Sequence, residues 1–126
     1  MTAGDVREFT VEARSTDTFG RVLCSSRDQH FVVDGPVQNG CPGEAITPGE
    51  IFLAGVASCG VELLQAVARA QQMPLRAVRV SVRGTFDPSR PVRSDVNVFN
   101  SVRLEFTLGG VDQAQAAELV SAFKRR

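Results

Sequence analysis

The sequence has no tryptophan and no tyrosine, and its only aromatic side chains besides one histidine are eight phenylalanines. Proteins that bind nucleic acids commonly stack bases on aromatic rings and carry an excess of positive charge for the phosphates. Here fourteen basic and fourteen acidic residues cancel, so the net charge is zero. We therefore expect no nucleic-acid partner.

The sequence also has no long uninterrupted apolar run. The longest, Ile51–Val56, is much shorter than the roughly 20 residues that a membrane-spanning helix needs. The N-terminus lacks the basic segment and following apolar stretch of a signal peptide. We expect a cytoplasmic protein without a membrane partner.

Cysteine and histidine are scarce and scattered. The three cysteines, Cys24, Cys41 and Cys59, form no C-x-x-C pair, and His30 is the single histidine. A structural zinc site would need all four of these distant side chains. We expect free thiols in a reducing compartment, no metal and no cofactor.

The length of 126 residues is enough for one core, so we predict a single domain over residues 1–126. Alternation of apolar and polar residues predicts strands at Glu8–Ala13, Arg21–Ser25, His30–Val33, Val78–Val82 and Val102–Leu108. The segment Asp34–Gly49, with three prolines and four glycines, reads as an irregular loop. Asp112 can cap a last helix. Three strands, a long helix, two strands and a helix make an α+β fold.

The long central helix has a clear start. Thr47 as N-cap, Pro48 and Glu50 match a capping box, and Pro74 should end the helix by about Gln72. Its apolar residues cover most of the circumference, which a small domain rarely buries alone. Burial against a second subunit would account for this pattern.

Cys59 stands in this helix beside Gly60 and close to Glu62. One interpretation is a small core residue, because free cysteine packs like a small hydrophobe. The other is a reactive thiol in a tightly packed and partly hydrated position, marked by the glycine and the charge. A carboxylate alone disfavours a thiolate, so an arginine would have to pair with Glu62 and face the sulfur. The candidates are Arg14, Arg21 and Arg27, each of which could equally be an ordinary surface charge.

The remaining thiols and the histidine have structural alternatives. His30 could form a Cys–His pair, but a histidine at a strand edge is commonly structural. Cys41 lies in the glycine- and proline-rich loop, where we expect it to be exposed, and Cys24 lies in a strand, where we expect core packing.

The stretch HFVVDGPVQNG together with TPGEIFLAGVASCGVELL resembles the OsmC/organic hydroperoxide resistance family. The resemblance extends over nearly the whole chain. The matching positions are His30, Asp34 to Pro36, Gly40, Pro48, Glu50, Ala54, Ala57 and Cys59.

This resemblance implies an intertwined homodimer in which two central helices pack together between curved sheets. It implies a thiol-dependent peroxidase with Cys59 as the peroxidatic cysteine and an arginine, Arg14 or Arg21, that stabilises the thiolate. Helix spacing, rather than the resemblance, makes Glu62 a possible partner of that arginine. The substrates would be organic hydroperoxides or hydrogen peroxide, and a dithiol would be the reductant.

The chain departs from the family pattern at three points. No arginine matches the family's N-terminal arginine unambiguously, so Arg14 and Arg21 both stay candidates. Gly49 stands where the hydroperoxide resistance branch has a glutamate that holds the arginine, so the chain is more similar to the broader OsmC-like branch. The resolving cysteine of the family would fall just beyond Arg126, which favours a one-cysteine site or a two-cysteine site of a longer chain. The alternative function is a non-catalytic dimer that binds a small apolar ligand or a protein partner.

Overall fold

A computed structural model describes residues 4–125 of the chain. The chain divides into two compact units, Met1–Ile51 and Phe52–Arg126, and each is described by itself. We call them the N-terminal unit and the C-terminal unit. Helices and antiparallel strands occur in the predicted order, which confirms the α+β class. That residues 1–126 act as one domain stays a prediction.

The N-terminal unit is built on a three-stranded antiparallel sheet. Its strands are β1 (Glu12–Ser15), β2 (Arg21–Ser26) and β3 (Gln29–Asp34), paired in that order. The predicted second and third strands are confirmed to within one residue at each end. A 3-10 turn and an irregular loop follow, as the glycines and prolines there indicate.

The first strand begins four residues later than predicted. In the sheet register Glu12 lies opposite Ser25, and β2 ends at Ser26 where the chain turns into β3. The same register puts Val11 level with Ser26, so residues 4–10 run past the end of β2. The last link is a hydrogen bond from Ser26 Oγ to the Thr10 carbonyl, 3.0 Å long.

Helix α1 (Pro48–Ala70) begins at the predicted capping box. The backbone N–H and the hydroxyl of Thr47 both donate to Glu50 Oε1 at 2.9 Å, which also lowers the pKa of Glu50. The helix ends two residues before the predicted Gln72. Gln72 adopts a left-handed conformation, and the Met73 N–H bonds the Ala68 carbonyl at 2.8 Å, which closes a Schellman motif.

The membrane prediction needs one correction, because α1 is long and apolar enough to cross a bilayer. Its 23 residues contain an 18-residue window with a mean hydropathy of 1.8. The expectation of no such segment counted only uninterrupted apolar residues, whereas small residues in this helix extend the hydropathic stretch. Length and composition alone are weak evidence for a span, since the core helix of a soluble protein has the same properties.

The C-terminal unit packs α1 against a hairpin and a second helix. Strands β4 (Ala77–Thr85) and β5 (Ser101–Gly109) are antiparallel, and α2 (Gln113–Lys124) begins at a capping box formed by Asp112 and Gln115. The fully buried core consists of Leu64, Ala68 and Leu119. Alternate residues of both strands face this core, as the predicted period of two requires.

Candidate functional site

Cys59 lies on α1 with its side chain exposed to solvent. The buried stripe of this helix runs through its neighbour Gly60, then Leu64 and Ala68, at a spacing of four residues. Each residue turns by about 100°, so the thiol points away from that stripe. Within this chain Cys59 is therefore not the small core residue of the first interpretation, and a small molecule can reach the sulfur.

Gly60 is explained by aromatic packing. A Cβ at this position would lie 3.3 Å from the ring of Phe106 on β5 and 3.4 Å from the ring of Phe123 on α2. The two rings contact each other edge to face, with centroids 5.4 Å apart. The close approach predicted at Gly60 thus occurs at the core, on the side of the helix that turns away from the sulfur.

Glu62 is exposed and lines a cavity of about 420 Å³ in the C-terminal unit. Two arginines, Arg69 and Arg76, line the same cavity together with apolar side chains that include Met73 and Leu75. Glu62 and Arg69 are seven residues apart on the helix and share a face. The cavity therefore combines charges of both signs with an apolar wall. The pairing of Glu62 with Arg14 or Arg21 stays a prediction.

Arg21 stands at the centre of the polar network in the N-terminal unit. Its Nε and Nη2 atoms donate to the two carboxylate oxygens of Asp34 at 2.8 and 2.9 Å, and Nη2 also donates to Glu44 Oε1 at 3.0 Å. Asp34 is fully buried and accepts two further bonds, from the backbone N–H groups of Glu44 and Ala45 at 2.9 and 2.8 Å. This fork-to-fork geometry fixes the guanidinium plane.

The network also sets the charge states of its members. The Arg21 guanidinium, followed by the two backbone donors, holds the pKa of Asp34 well below its usual range despite burial. The bonds to Asp34 and Glu44 in turn raise the pKa of Arg21. A permanently charged and oriented guanidinium therefore lies at the start of β2, with two carboxylates bound to it.

The other two candidate arginines differ from Arg21. Arg14 lies on β1 opposite Leu23, which puts it on the same sheet face as Arg21, and it is exposed. Arg27 is exposed in the β2–β3 turn with a left-handed backbone. Among the described residues neither forms an ion pair, so of the three candidate arginines only Arg21 is held in one orientation by carboxylates.

Sequence reasoning missed Asp34 and Glu44 as partners of an arginine. A signal was present, because the turn at Ser26–Gln29 fixes the hairpin register, and counting back along both strands puts Arg21 opposite Asp34. Glu44 had no such signal, since it lies in an irregular loop whose path depends on the backbone bonds to Asp34.

The remaining thiols and the histidine have structural surroundings. Cys24 is half-buried, rather than a core residue. Cys41 is half-buried rather than exposed, because its side chain packs into the space that glycines leave at positions 20 and 35. His30 is exposed, and its Nδ1 lies 2.8 Å from Ser25 Oγ on the neighbouring strand. No three metal-binding side chains are grouped in residues 4–125.

Residues 41–126 match the family model described as OsmC-like protein. No match is found among curated proteins. An OsmC-like protein from Mycoplasma pneumoniae is similar in structure, with 14% identity, 95% of this chain and 82% of that chain covered, and a TM-score of 0.79.

Two hydroperoxide resistance proteins share the fold as well. The protein OsmC from Legionella pneumophila has 21% identity and a TM-score of 0.74, over 96% of this chain and 85% of that chain. The protein OhrB of Bacillus subtilis has 25% identity and a TM-score of 0.63, over 94% of this chain and 84% of that chain.

Proposed function

The chain belongs to the OsmC-like protein family, and we propose that it is a thiol-dependent peroxidase whose peroxidatic residue is Cys59. The observation that carries this proposal is the exposed thiol on α1. A cysteine sealed in the core of its own chain could not meet a peroxide, whereas Cys59 lies at the surface of this chain, and the proposed second copy must leave its sulfur open to a small molecule. The substrates we propose are organic hydroperoxides or hydrogen peroxide, and we place the reaction in the cytoplasm.

The reaction needs no metal or cofactor. The Cys59 thiolate attacks the terminal oxygen of the hydroperoxide, the O–O bond breaks, and the released alkoxide takes a proton to leave as an alcohol. Cys59 is oxidised to a sulfenic acid. One thiol of a dithiol reductant then condenses with the sulfenic acid, releasing water and forming a mixed disulfide. The second thiol displaces Cys59, which returns as a thiol.

We propose Arg21 as the residue that stabilises the thiolate, with Arg14 as the alternative. The support for Arg21 is its fixed orientation, because Asp34 and Glu44 hold the guanidinium in place. Arg14 is exposed and would have to lose side-chain freedom to act. In this proposal Asp34 and Glu44 hold the arginine, which Gly49 cannot do, and the pairing of Glu62 with that arginine stays a prediction.

A homodimer is part of the proposal. Only 17% of the most apolar window of α1 is buried, and Phe52 on this helix is 56% exposed. Since the OsmC-like fold is that of soluble proteins, a second copy is the cover that we propose for α1. Sedimentation at micromolar concentration should give a dimer.

The test of the peroxidase is to trap the sulfenic acid with dimedone after adding cumene hydroperoxide. Mass spectrometry should locate the label on Cys59, Cys59→Ser should abolish it, and Cys41→Ser should leave it unchanged. Arg21→Gln should slow labelling at pH 7 by about tenfold, because the thiolate loses the neighbouring guanidinium that is proposed to stabilise it.

Matched variants separate the outcomes. Arg7→Gln removes an exposed arginine of the N-terminal unit and should not change the rate. If Arg14→Gln slows labelling and a folded Arg21→Gln does not, the assignment passes to Arg14. An unlabelled Cys59 in the wild type would contradict the peroxidase and leave the second candidate, a ligand-binding dimer. The cavity of about 420 Å³ beside Glu62 favours that second candidate, since it has the size of a small-molecule site.

A further inference from the structure

The outward side of the β4–β5 hairpin is a continuous polar surface, which we call the arginine face. The register puts Arg83 directly opposite Arg103, and Arg79 lies four residues along the strand from Arg83. All side chains of this face are exposed. The arginine face consists of Arg79, Ser81, Arg83, Thr85, Ser101, Arg103, Glu105 and Thr107.

The arginines of this face outnumber its one carboxylate by three to one. Side chains of directly opposite residues in an antiparallel pair have Cβ atoms about 5 Å apart, and like charges there are destabilising. The carboxylate, Glu105, lies opposite Ser81 and only diagonally from Arg79 and Arg83, and among the described residues it forms no ion pair. The three ion pairs among residues 4–125 involve Arg21 and Arg93 only. The hairpin therefore bears a repulsion that a bound anion would relieve.

The charges are unevenly distributed along the chain, and the C-terminal unit is the more positive part. Residues 1–51 contain eight acidic and four basic side chains, whereas residues 52–126 contain six acidic and ten basic ones. A net charge of zero thus hides an excess of four positive charges in the C-terminal unit. All but one of the fourteen basic residues are arginines, whose guanidinium binds phosphate in a bidentate manner.

The arginine face is also unsuited to burial against a second copy of the chain. The opposite side of the hairpin packs on the core through Val78, Phe106 and Leu108. The outward side contributes no apolar side chain between Arg79 and Thr85 or between Ser101 and Thr107. Four hydroxyls there can donate to anionic oxygens. A small hydrated anion fits this chemistry better than an apolar interface does.

We propose that the arginine face binds a short oligophosphate. One phosphoryl group lies between Arg83 and Arg103. A second lies on the side of Arg79, which is about 13 Å from Arg83 along the strand, a distance that two long arginine side chains can span. The hydroxyls beside them complete the hydrogen bonds. The site is separate from Cys59 and does not depend on the peroxidase activity.

The test is calorimetric titration of the full chain with inorganic tripolyphosphate at low and at high salt. Binding should weaken as salt screens the charges, and Arg103→Gln should raise the Kd by about tenfold. Glu105→Gln removes the negative charge of the face and should lower the Kd. Arg7→Gln, an equal change of charge in the N-terminal unit, should leave it unchanged.

A second readout is independent of titration heats. Without anion at low salt, Arg103→Gln should raise the melting temperature slightly because the repulsion with Arg83 disappears. Tripolyphosphate should then raise the melting temperature of the wild type more than that of the variant. Equal shifts in wild type, Arg103→Gln and Arg7→Gln, or no binding at low salt, would overturn the proposal.

The phosphate could be free or carried by a lipid headgroup. Flotation with phosphatidylcholine vesicles, with and without phosphatidylinositol bisphosphate, distinguishes these sources. If Arg103→Gln abolishes binding to the vesicles with phosphatidylinositol bisphosphate, and tripolyphosphate does not compete with these vesicles, the arginine face binds lipid headgroups. Competition by tripolyphosphate assigns it to oligophosphates in general. Binding to pure phosphatidylcholine would contradict the phosphate specificity.

Discussion

In the N-terminal unit the most buried side chain is a carboxylate, whereas in the C-terminal unit the most buried large side chains are leucines. Asp34 is fully shielded from solvent and satisfied by one guanidinium and two backbone donors. Leu64 and Leu119 are equally shielded, and apolar side chains surround them. Each unit thus buries side chains completely, but an ion pair with hydrogen bonds permits it in the N-terminal unit and apolar packing in the C-terminal unit.

The difference has consequences for how each unit responds to conditions. Apolar burial depends on area and temperature and is insensitive to pH. A buried ion pair depends on both partners being charged, and the loss of one leaves the other unpaired. The C-terminal unit should therefore tolerate acid, and the N-terminal unit should be the part that acid disrupts first.

The largest effect is expected from emptying the core of the C-terminal unit. Leu119→Ala should lower the free energy of unfolding by about 3 kcal/mol, because it removes a fully buried side chain and leaves a cavity. Urea titrations at pH 7 and pH 5, at one protein concentration, should give the same loss, since no titrating group is involved. Val102→Ala, at a position that is 38% exposed, should cost less than about 1 kcal/mol. If the loss of unfolding free energy differed between pH 7 and pH 5, the stability of the C-terminal unit would not rest on apolar packing alone.

The next effect is expected from Asp34. Asp34→Asn leaves Arg21 without its buried partner and should lower the melting temperature at pH 7 by roughly 8 °C. The pKa of Asp34 is depressed in the folded state, so its stabilisation is present above about pH 4, the unfolded value, and is lost as the pH falls through the folded value. The difference in melting temperature between wild type and Asp34→Asn should therefore become smaller below about pH 4.

The control for this charge is Asp5→Asn, which changes an exposed aspartate of the same unit. It should shift the melting temperature by no more than about 1 °C. Scanning calorimetry from pH 7 to pH 2 measures both variants. A difference between wild type and Asp34→Asn that stays constant over this range would mean that the shape of the side chain, not its charge, stabilises the unit.

The same contrast explains what the sequence could predict. The alternation that places Phe106 and Leu108 on the core is a local pattern, and the capping box at Thr47 is local too, so both were predicted. The network of Asp34 depends on strand register and on the path of a loop. Likewise, the left-handed residue after α1 is Gln72, whereas glycine or asparagine is the usual residue there, so the sequence did not indicate where the helix ends.

The candidate site was predictable to a similar extent. The family resemblance pointed to Cys59, and helix geometry put Glu62 near it. Which face of α1 is buried was not predictable, because that depends on two rings that reach Gly60 from β5 and α2, distant in sequence. The two carboxylates that hold Arg21 lie outside the stretch of sequence around Cys59, so the pattern in that stretch could not reveal them.

The smallest effect is expected at Gly60, where helix preference and packing oppose each other. Alanine favours a helix over glycine by about 1 kcal/mol, but its methyl would press on Phe106 and Phe123, which hold each other in place. We expect Gly60→Ala to destabilise by about 1 kcal/mol, measured by urea unfolding. In a Phe123→Leu background the same change should become neutral or stabilising, because a shorter side chain can yield. Equal costs in both backgrounds would mean that the glycine serves something other than the aromatic contact.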